Sequence, residues 1–458
     1  MQCKVAVTGG GIAGSSAALY LAKEGIEVEL FEKKQFLVEG PPMCHLHAGG
    51  NLYREISINQ CIQLLKESID LVKLYPHTID KRPTIIATPI TDPDDPKNQI
   101  KKLEILKKEY EKLIKTDPSN KVLGEVENYY KTYEKEDLKR IKKGILEDEN
   151  DRWMIPFVEN IDLEKIKYPV ILVQEYGLNV FRISAMANLM LNRMKNVKLH
   201  LNTEVIKTEK KEDKFIVTYK ENGEIYTKEF DYLINAAGFE SGKIDDDLGY
   251  KRERFVEFKA AYVTKWNKVD KNWPEIIFHG VRGTPHGMGQ FTPYYGGYVQ
   301  LHAMTKDITL FNDGLAKTKN SSQPKLPQKY INYIEKNWDE ESVKDRTLKA
   351  IKHLNQFIPK FNSKEYFKPL FGAQQIPGND ETLRAAEVSF ERDYARCEIV
   401  KASSVFAMSE EILKKLKNCD KSPEPLPKIT KEEVDKFATE IATKRGYPKE
   451  MGMVNNPY

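Results

Sequence analysis

The sequence predicts an α/β fold in which a parallel sheet, discontinuous in sequence, is joined by a smaller antiparallel-sheet domain and a helical hairpin insertion. Three observations lead to this prediction. The chain opens with a strand, a glycine-rich turn and a helix. A segment very rich in Lys and Glu interrupts this pattern at residues 93–152, and β-type runs with aromatic residues fill residues 255–311.

The opening unit has the features of a Rossmann-like dinucleotide-binding domain. Gly9, Gly11 and Gly14 satisfy G-x-G-x-x-G between a strand and a helix, and Glu32 closes the second strand 18 residues after Gly14. The glycines permit a tight turn, close approach of the backbone to a pyrophosphate and close packing of helix on strand. With Ile12 and Ala13, they begin a helix whose N-terminus would stabilise phosphate charge. Glu32 would accept the ribose hydroxyls, and Lys33 follows it.

The Lys- and Glu-rich residues 93–152 are predicted to form the helical hairpin. Apolar residues recur there at helical spacing in two runs, which Pro118 and Gly124 separate. The second run is Val126, Tyr129, Tyr133 and Leu138. The charges fit a solvated face, and a basic docking surface is the alternative.

The rest of the chain is divided between the two predicted domains. The predicted ranges are 1–92, 153–250 and 369–418 for the nucleotide-binding domain, 251–368 for the antiparallel-sheet substrate domain, and 419–458 for a C-terminal helical tail. Thr430 and Glu433 have the spacing of a capping box at the start of the last helix.

The composition is that of a soluble globular protein. The chain has 458 residues, of which 31% are charged, and a formal net charge of +4, which is too small to argue for nucleic acid as a partner. No run of about 18 apolar residues would span a bilayer. Because the first residues enter a strand without a secretory signal, we expect a cytoplasmic location.

The cysteine usage predicts thiols. Five cysteines occur without a Cys-x-x-Cys pair, which argues against a disulfide framework, a zinc ribbon and a dithiol redox centre. We expect free thiols at Cys3, Cys44, Cys61, Cys397 and Cys419, and no bound metal.

Motifs elsewhere in the chain indicate which dinucleotide is bound. A second G-x-G-x-x-G, a Gly-Asp dipeptide and a P-loop are all missing from the sequence. Residues 182–238 instead have the order helix, strand, Thr-Glu-Val, β-hairpin and Asn-Ala-Ala-Gly. This order resembles the D-amino acid oxidase and glycine oxidase superfamily of FAD enzymes. The resemblance implies an FAD-dependent oxidoreductase, with Val205 contacting adenine and Ala236, Ala237 and Gly238 as backbone neighbours of FAD.

The resemblance also places the start of a C-terminal helix beside the flavin. The family usually has a glycine-rich turn there, whereas this chain has Ala402, Ser403 and Ser404. We expect a serine to cap that helix, whose positive end would face the pyrimidine edge of the flavin.

The stretch CHLHAGG, residues 44–50, is interpreted through the same resemblance as a wall along the isoalloxazine ring. A zinc site and a catalytic cysteine are disfavoured because no second ligand cluster and no acyl-transfer motif accompany it. Small residues let the backbone approach a flat ring. The expected FAD contacts in this wall are His45, His47, Ala48, Gly49 and Gly50, although His45 alone is as well explained by the satisfaction of buried backbone groups.

His47 carries an open alternative. Relatives similar to dimethylglycine and sarcosine dehydrogenases have a histidine at this place that is bonded to the flavin's 8α carbon. Dissociable FAD is the favoured prediction, and a His47-linked FAD is the alternative.

The expected reaction is hydride transfer to flavin N5 from a small amino acid, N-methylamine or 2-hydroxy acid, with oxygen or a quinone as electron acceptor. Arg282 and Arg384 are the candidate carboxylate anchors. His286 and His302 are candidate bases for a hydroxy acid, whereas an amine arrives deprotonated. The alternatives are a flavoprotein that acts on a macromolecule, a quinone-linked peripheral membrane dehydrogenase and an NAD-linked dehydrogenase.

Overall fold

The structure of the chain is a computed structural model, which describes residues 3–40, 42–48, 56–383, 388–417, 419 and 422–458. Three predicted site residues, Gly49, Gly50 and Arg384, lie outside the described residues.

The described residues form twenty strands and eleven α-helices. The strands are β1 (Lys4–Thr8), β2 (Glu27–Glu32), β3 (Ile79–Asp80), β4 (Thr84–Pro89), β5 (Tyr130–Tyr133), β6 (Ile166–Val173), β7 (Gly177–Leu178), β8 (Val197–Leu201), β9 (Glu204–Lys211), β10 (Lys214–Glu221), β11 (Glu224–Phe230), β12 (Tyr232–Asn235), β13 (Arg254–Lys265), β14 (Glu275–Phe278), β15 (Gly289–Pro293), β16 (Tyr298–Ala303), β17 (Leu315–Lys317), β18 (Phe367–Pro377), β19 (Val388–Glu391) and β20 (Tyr394–Cys397). The helices are α1 (Ile12–Lys23), α2 (Ile58–Leu74), α3 (Lys97–Thr116), α4 (Lys135–Lys142), α5 (Asp151–Asn160), α6 (Val180–Arg193), α7 (Ser241–Asp247), α8 (Gln328–Glu335), α9 (Glu340–Leu354), α10 (Val405–Lys415) and α11 (Lys431–Lys444).

The first sheet confirms the predicted parallel, sequence-discontinuous core. Its order is β19, β20, β12, β1, β2 and β8, and all neighbours are parallel except the edge pair of β19 with β20. The central strand β1 is buried on both faces, as its apolar run Val5, Ala6 and Val7 requires. The carboxyl ends of β1 and β12 therefore lie side by side, where a ligand binds in an open α/β sheet.

The second sheet is larger than predicted. It has nine strands, in the order β17, β13, β16, β15, β14, β4, β6 and β5, with β18 also paired to β13. It is mixed and not purely antiparallel, because β14 runs parallel to β4. Strands β4 and β6 come from ranges that the sequence assigned to the nucleotide-binding domain. Local pattern does not reveal which sheet a strand joins, since pairing is set by distant partners.

The insertion is not a helical hairpin. Helix α3 forms as predicted, but residues 130–133 of the second predicted helix form β5, which pairs with β6 at the edge of the nine-stranded sheet. The spacing of Val126, Tyr129 and Tyr133 fits a helix, yet tyrosine and threonine also favour a strand, and pairing with β6 decided between them.

Two of the five cysteines are not free thiols. Cys3, just before β1, and Cys419, beyond α10, form a disulfide across 416 residues of sequence. Their separation hid the pair from spacing arguments, whereas Cys44, Cys61 and Cys397 are free and buried. The predicted capping box at Thr430 and Glu433 is confirmed at the start of α11. None of the helices in the described ranges combines the length and the apolar character needed to cross a membrane.

Candidate functional site

The glycine-rich turn forms a cradle at the start of α1. Gly9 has φ of +97°, and a side chain there would meet the Ala236 carbonyl at 2.4 Å; one on Gly14 would meet the Gly9 carbonyl at 1.9 Å. A side chain on Gly11 would meet nothing within 4 Å. No side chain caps this helix, so its first amides are available to an anion. The open space at Gly11 therefore fits the pyrophosphate of a dinucleotide.

Glu32 makes two contacts with the glycine turn and its neighbour that the sequence did not predict. Its two carboxylate oxygens accept hydrogen bonds from the backbone amides of Gly10, at 2.6 Å, and Lys34, at 2.8 Å. Burial raises the pKa of Glu32, and these amides oppose that change. The carboxylate thus fixes the glycine turn while keeping lone pairs for a ribose. The next residue, Lys33, forms an ion pair with Glu240, two residues beyond Gly238.

The end of β12 lies against the glycine turn, as the resemblance implied. The amide of Ala236 donates to the Thr8 carbonyl at 2.8 Å, so β12 and β1 end together. Val205 packs with Ala237 on a cluster that includes Phe31. Gly238 has φ of +60° and open space on its Cβ side. These positions fit an adenosine beside the β1 and β12 ends.

The start of α10 differs from the prediction. The Ser404 hydroxyl does not cap the helix but donates to Oε2 of Glu67 on α2 at 2.7 Å. The carboxylate is the stronger acceptor, and the bond ties α10 to α2. Ser403 is also buried, and its hydroxyl has no partner among the described residues. A buried hydroxyl of this kind needs a water or a ligand as its partner. The start of α10 is therefore compatible with a bound cofactor, even though no serine caps the helix.

The loop that follows β2 presents two histidines, His45, which is buried, and His47, which is half-buried. Their rings are 4.5 Å apart between centroids. An isolated bridge between His45 and Gly177 holds the loop on β7, and Leu178 donates to the Cys44 carbonyl at 3.0 Å. His45 and His47 are two residues apart on an extended segment, so their side chains share a face. Ala48, also buried, follows them.

His45 meets a carboxylate that the sequence analysis missed. Its Nδ1 lies 2.6 Å from Oε1 of Glu275, the first residue of β14, and both side chains are fully buried. Arg82 Nη1 donates to the other oxygen of Glu275 at 2.8 Å, and Gln290 Nε2 donates to Oε1 at 2.7 Å. Although burial alone would raise it, His45 and Arg82 lower the pKa of Glu275 to about 2. Glu275 is therefore the negative centre of this cluster.

The same cluster contains a potential set of metal donors. One atom each of Cys44, His45 and Glu275 lies within 4.8 Å of the other two. The side-chain amide of Gln290 already occupies part of the space between these atoms. Its Nε2 donates to the Cys44 sulfur at 3.0 Å and also to Glu275. The charge of Arg82 would also repel a cation. The hydrogen bonds that these groups already make explain the cluster better than a metal does.

The nine-stranded sheet turns one polar face towards these histidines. Ile276, Phe291 and Leu301 pack under α9 on one face, so the alternate residues Gln290, Gln300 and His302 lie on the other. Gln300 Nε2 and His302 Nδ1 are 3.3 Å apart. Burial lowers the pKa of His302 to about 4. Burial, with the charges of Lys401, His45 and His302, lowers the pKa of His47 well below its usual value.

Arg282 and His286, the other two predicted site residues on this sheet, have different surroundings. Arg282 forms an ion pair with Glu257, and Glu257 also forms an ion pair with Lys259 at 2.9 Å. Glu257 and Lys259 lie on the face of β13 opposite the one that carries Tyr262. His286 is exposed in the loop before β15. The next residue, Gly287, has its carbonyl 3.0 Å from Nε2 of His353 on α9, which packs on the far face of the sheet, so the structure does not bring His286 together with His45, His47 and His302.

Sequence reasoning missed Glu275, Arg82 and the lysines Lys259 and Lys401. A charged residue that opens the apolar run EIIF was a signal for Glu275, since a strand rarely buries an unpaired carboxylate. The sequence contains no such signal for Arg82, whose partner is 193 residues away.

Comparisons with known proteins agree with this geometry. Residues 4–147 match the family model described as FAD dependent oxidoreductase, DAO. The chain is similar to dithionite-reduced L-alpha-glycerophosphate oxidase from Mycoplasma pneumoniae with FAD bound, at 16% identity and a TM-score of 0.58 over 93% of this chain and 99% of that one. For glycine oxidase from Geobacillus kaustophilus the identity is 11% and the TM-score 0.59, over 93% and 100%.

A third similar structure is L-proline dehydrogenase from P. horikoshii, at 15% identity and a TM-score of 0.54 over 98% of this chain and 99% of that one. No curated protein matches the chain significantly. At these identities the solved structures establish the fold.

Proposed function

We propose that this chain, an FAD-dependent oxidoreductase of the DAO family through its residues 4–147, takes a hydride for flavin N5 from a small amino acid, N-methylamine or 2-hydroxy acid. The observation that carries the proposal is the closed polar face between the His45–His47 loop and the nine-stranded sheet. Bound FAD would supply the two-electron acceptor. The protein residues would bind, orient and exclude water.

The cofactor would be held by the groups at the carboxyl end of the first sheet. Gly11 and the first turn of α1 would receive the pyrophosphate, Glu32 the ribose, and Val205 with the β12 end the adenosine. The flavin end would lie along His45, His47 and Ala48, with the buried Ser403 hydroxyl at the start of α10. Two buried atoms without partners, Ser403 Oγ and His45 Nε2, support this placement within the described ranges.

The charge of the site favours an anionic substrate. Besides burial, the charge of Lys401 lowers the pKa of His47 and the charge of Lys259, which also forms an ion pair with Glu257, lowers the pKa of His302. A carboxylate bound near these lysines would be attracted by their charge, because the surroundings exclude water. Arg282 remains a candidate anchor, but its guanidinium would have to exchange Glu257 for the substrate.

The test is anaerobic reduction of the purified, yellow holoenzyme by a panel of amino acids, N-methylamino acids and 2-hydroxy acids, followed by loss of absorbance near 450 nm. We expect at least one acid to bleach the flavin without NAD(P)H. If none does, the small-acid proposal is wrong, and a colourless protein that needs NAD would favour an NAD-linked dehydrogenase. Re-oxidation by oxygen or by a soluble quinone identifies the acceptor.

The linkage of FAD at His47 has its own test. We propose dissociable FAD, because the lowered pKa of His47 is compatible with a neutral contact to the ring. Acid precipitation should leave a yellow supernatant and a white pellet. A yellow pellet that becomes white in His47→Ala would establish the alternative covalent bond.

We also retain a cytoplasmic location as a proposal, which cell fractionation would check.

A further inference from the structure

The carboxylate–histidine pair at the centre of the candidate site fixes one tautomer. Nδ1 of His45 faces Oε1 of Glu275 at 2.6 Å, so Nδ1 carries a proton and donates it to the carboxylate. The nitrogen left to gain or lose a proton is Nε2. The two residues come from different parts of the fold, the loop after β2 and the start of β14.

Further hydrogen bonds fix the positions of both Glu275 and the loop that carries His45. Arg82 Nη1 and Gln290 Nε2 both donate to Glu275, and Arg82 Nη2 donates to the Cys44 carbonyl at 3.0 Å, which ties the histidine loop to the same arginine. Neither the carboxylate nor the loop can rotate without losing a charge-assisted hydrogen bond. The ring of His45 is therefore oriented by residues on β14, β15 and the segment before β4.

Nε2 of His45 is a buried polar atom without a hydrogen-bond partner among the residues that the structure describes. Buried nitrogen atoms of this kind are rare and indicate a group that the protein itself does not supply. The ring lies against His47 on the loop expected to line the flavin. A substrate held beside the flavin would provide the missing partner.

We propose that His45 takes the proton of the substrate through Nε2, that Glu275 is its positioning residue, and that the carbon to be oxidised bears a hydroxyl. This inference rests on the proposed function. The O–H bond breaks and its proton goes to Nε2; the C–H bond breaks and its electron pair leaves as a hydride to bound FAD, the oxidant. The carbon becomes a carbonyl carbon. A hydroxyl needs such a base, whereas an amine can arrive deprotonated.

The titration of His45 depends on groups from several elements. Cys44 on its own loop and Glu275 on β14 act on it directly. The other titratable or charged groups of the cluster are His47 on the same loop, Arg82 before β4, Tyr294 after β15, His302 on β16, and the lysines Lys401 and Lys259, whose charges act on His47 and His302. Although burial alone would lower it, Cys44 and Glu275 raise the pKa of His45 well above its usual value. Because only neutral His45 accepts a proton, flavin reduction should slow as the pH falls through that raised pKa.

Matched substrates separate this inference from the function on which it rests. Glycolate and D- and L-lactate are compared with glycine and D- and L-alanine in anaerobic flavin reduction. We expect a hydroxy acid to bleach the flavin at least tenfold faster than its amino counterpart. An amino acid that reduces the flavin as fast or faster overturns the inference and leaves the proposed function standing. If no member of the whole acid panel bleaches it, the proposed function fails as well.

Variants test the roles of the two residues. We expect Glu275→Gln to move the acid limb of the reduction rate to lower pH, because loss of the carboxylate lowers the pKa of His45, and to slow the plateau rate about tenfold. His45→Asn should remove the limb and cost roughly 100-fold in rate. His286→Asn makes the same substitution at an exposed histidine. It should keep both the acid limb and the wild-type rate of flavin reduction. An unmoved limb in Glu275→Gln, or a wild-type rate in His45→Asn, overturns the proposal.

Glu275→Gln also deprives the buried Arg82 of its carboxylate partner, which destabilises the fold. A second measurement is therefore made on the wild-type protein and does not depend on the folding of that variant. In ¹⁵N-histidine NMR of the wild-type holoenzyme, we expect one histidine with Nδ1 protonated throughout and Nε2 titrating above pH 6.5, the ordinary histidine value. The signal is assigned by its absence from His45→Asn. A His45 protonated at Nε2 alone when neutral would contradict the assigned direction of proton transfer.

Discussion

At the scale of single residues, the glycines of the nucleotide turn have separable roles. Gly14 has no room for a methyl group, whereas Gly11 faces open space. The first is required by the packing of helix on strand, whereas the second is proposed to leave room for a ligand.

This contrast gives a prediction. We expect Gly14→Ala to lower the melting temperature of the FAD-free protein, because its Cβ would lie 1.9 Å from the Gly9 carbonyl. Gly11→Ala should leave that temperature within a few degrees of wild type and weaken FAD binding instead. Thermal unfolding of both apoproteins and FAD titration measure the two effects. A Gly11→Ala protein with unchanged FAD affinity would argue against a pyrophosphate at this position.

A second residue-scale prediction concerns Glu275 and pH. Its pKa in the folded protein is about 2, below the ordinary 4.5, so it stabilises the fold above pH 4.5 and this contribution disappears as the pH falls towards 2. The free energy of unfolding of wild type minus that of Glu275→Gln should therefore be on the order of 3 kcal/mol at pH 6 and decrease steadily below pH 4.5. Urea unfolding at several pH values measures it. A difference that is independent of pH would contradict the ionised Glu275.

At the scale of elements, α10 shows how one hydrogen bond replaces another. The sequence predicted a serine cap, but the Ser404 hydroxyl reaches Glu67 on α2. The helix start is thus fixed by a neighbouring helix and not by its own amides.

We expect Ser404→Ala to lower the free energy of unfolding by about 1–3 kcal/mol, because Glu67 loses a donor in a buried place. Thr443→Ala, at an exposed position in the last turn of α11, serves as the control, since the Thr443 hydroxyl donates to the Thr439 carbonyl of its own helix. That control should change stability by less than about 0.5 kcal/mol. Chemical denaturation compares them, and equal effects of the two substitutions would refute the role of the Glu67 contact.

At the scale of the whole molecule, buried charges join the two large sheets. Asp245 on α7 pairs with Arg254 on β13 and with Arg396 on β20, and all three side chains are buried. The face that carries Glu275 is therefore fixed against the sheet that carries the glycine turn.

The disulfide acts at the same scale, because it ties the residue before β1 to the segment after α10. We expect the double variant Cys3→Ser, Cys419→Ser to lose roughly 2–5 kcal/mol of stability. Dithiothreitol should lower the melting temperature of wild type to that of the variant and leave the variant unchanged. Equal melting temperatures of wild type and variant without reductant would show that the bond does not contribute.

The sequence by itself determined the parts of the protein that depend on local pattern. The glycine turn, the strand and helix around it and Glu32 follow from spacing along a short stretch of chain, as do α3 and the capped α11. The resemblance carried by residues 182–238 predicted the cofactor class, which the family match at residues 4–147 supports. The histidine loop was predicted to be part of the site from the same resemblance.

Only the tertiary structure decided what those histidines meet. Glu275 and Arg82 are separated from each other by 193 residues, and the partners of the disulfide by 416, so neither pairing leaves a periodic trace in the sequence. The sheet to which β4, β5 and β6 belong was decided in the same way. A strand's partner, a buried ion pair and a disulfide are all properties of distances in space, which the order of residues along the chain does not specify locally.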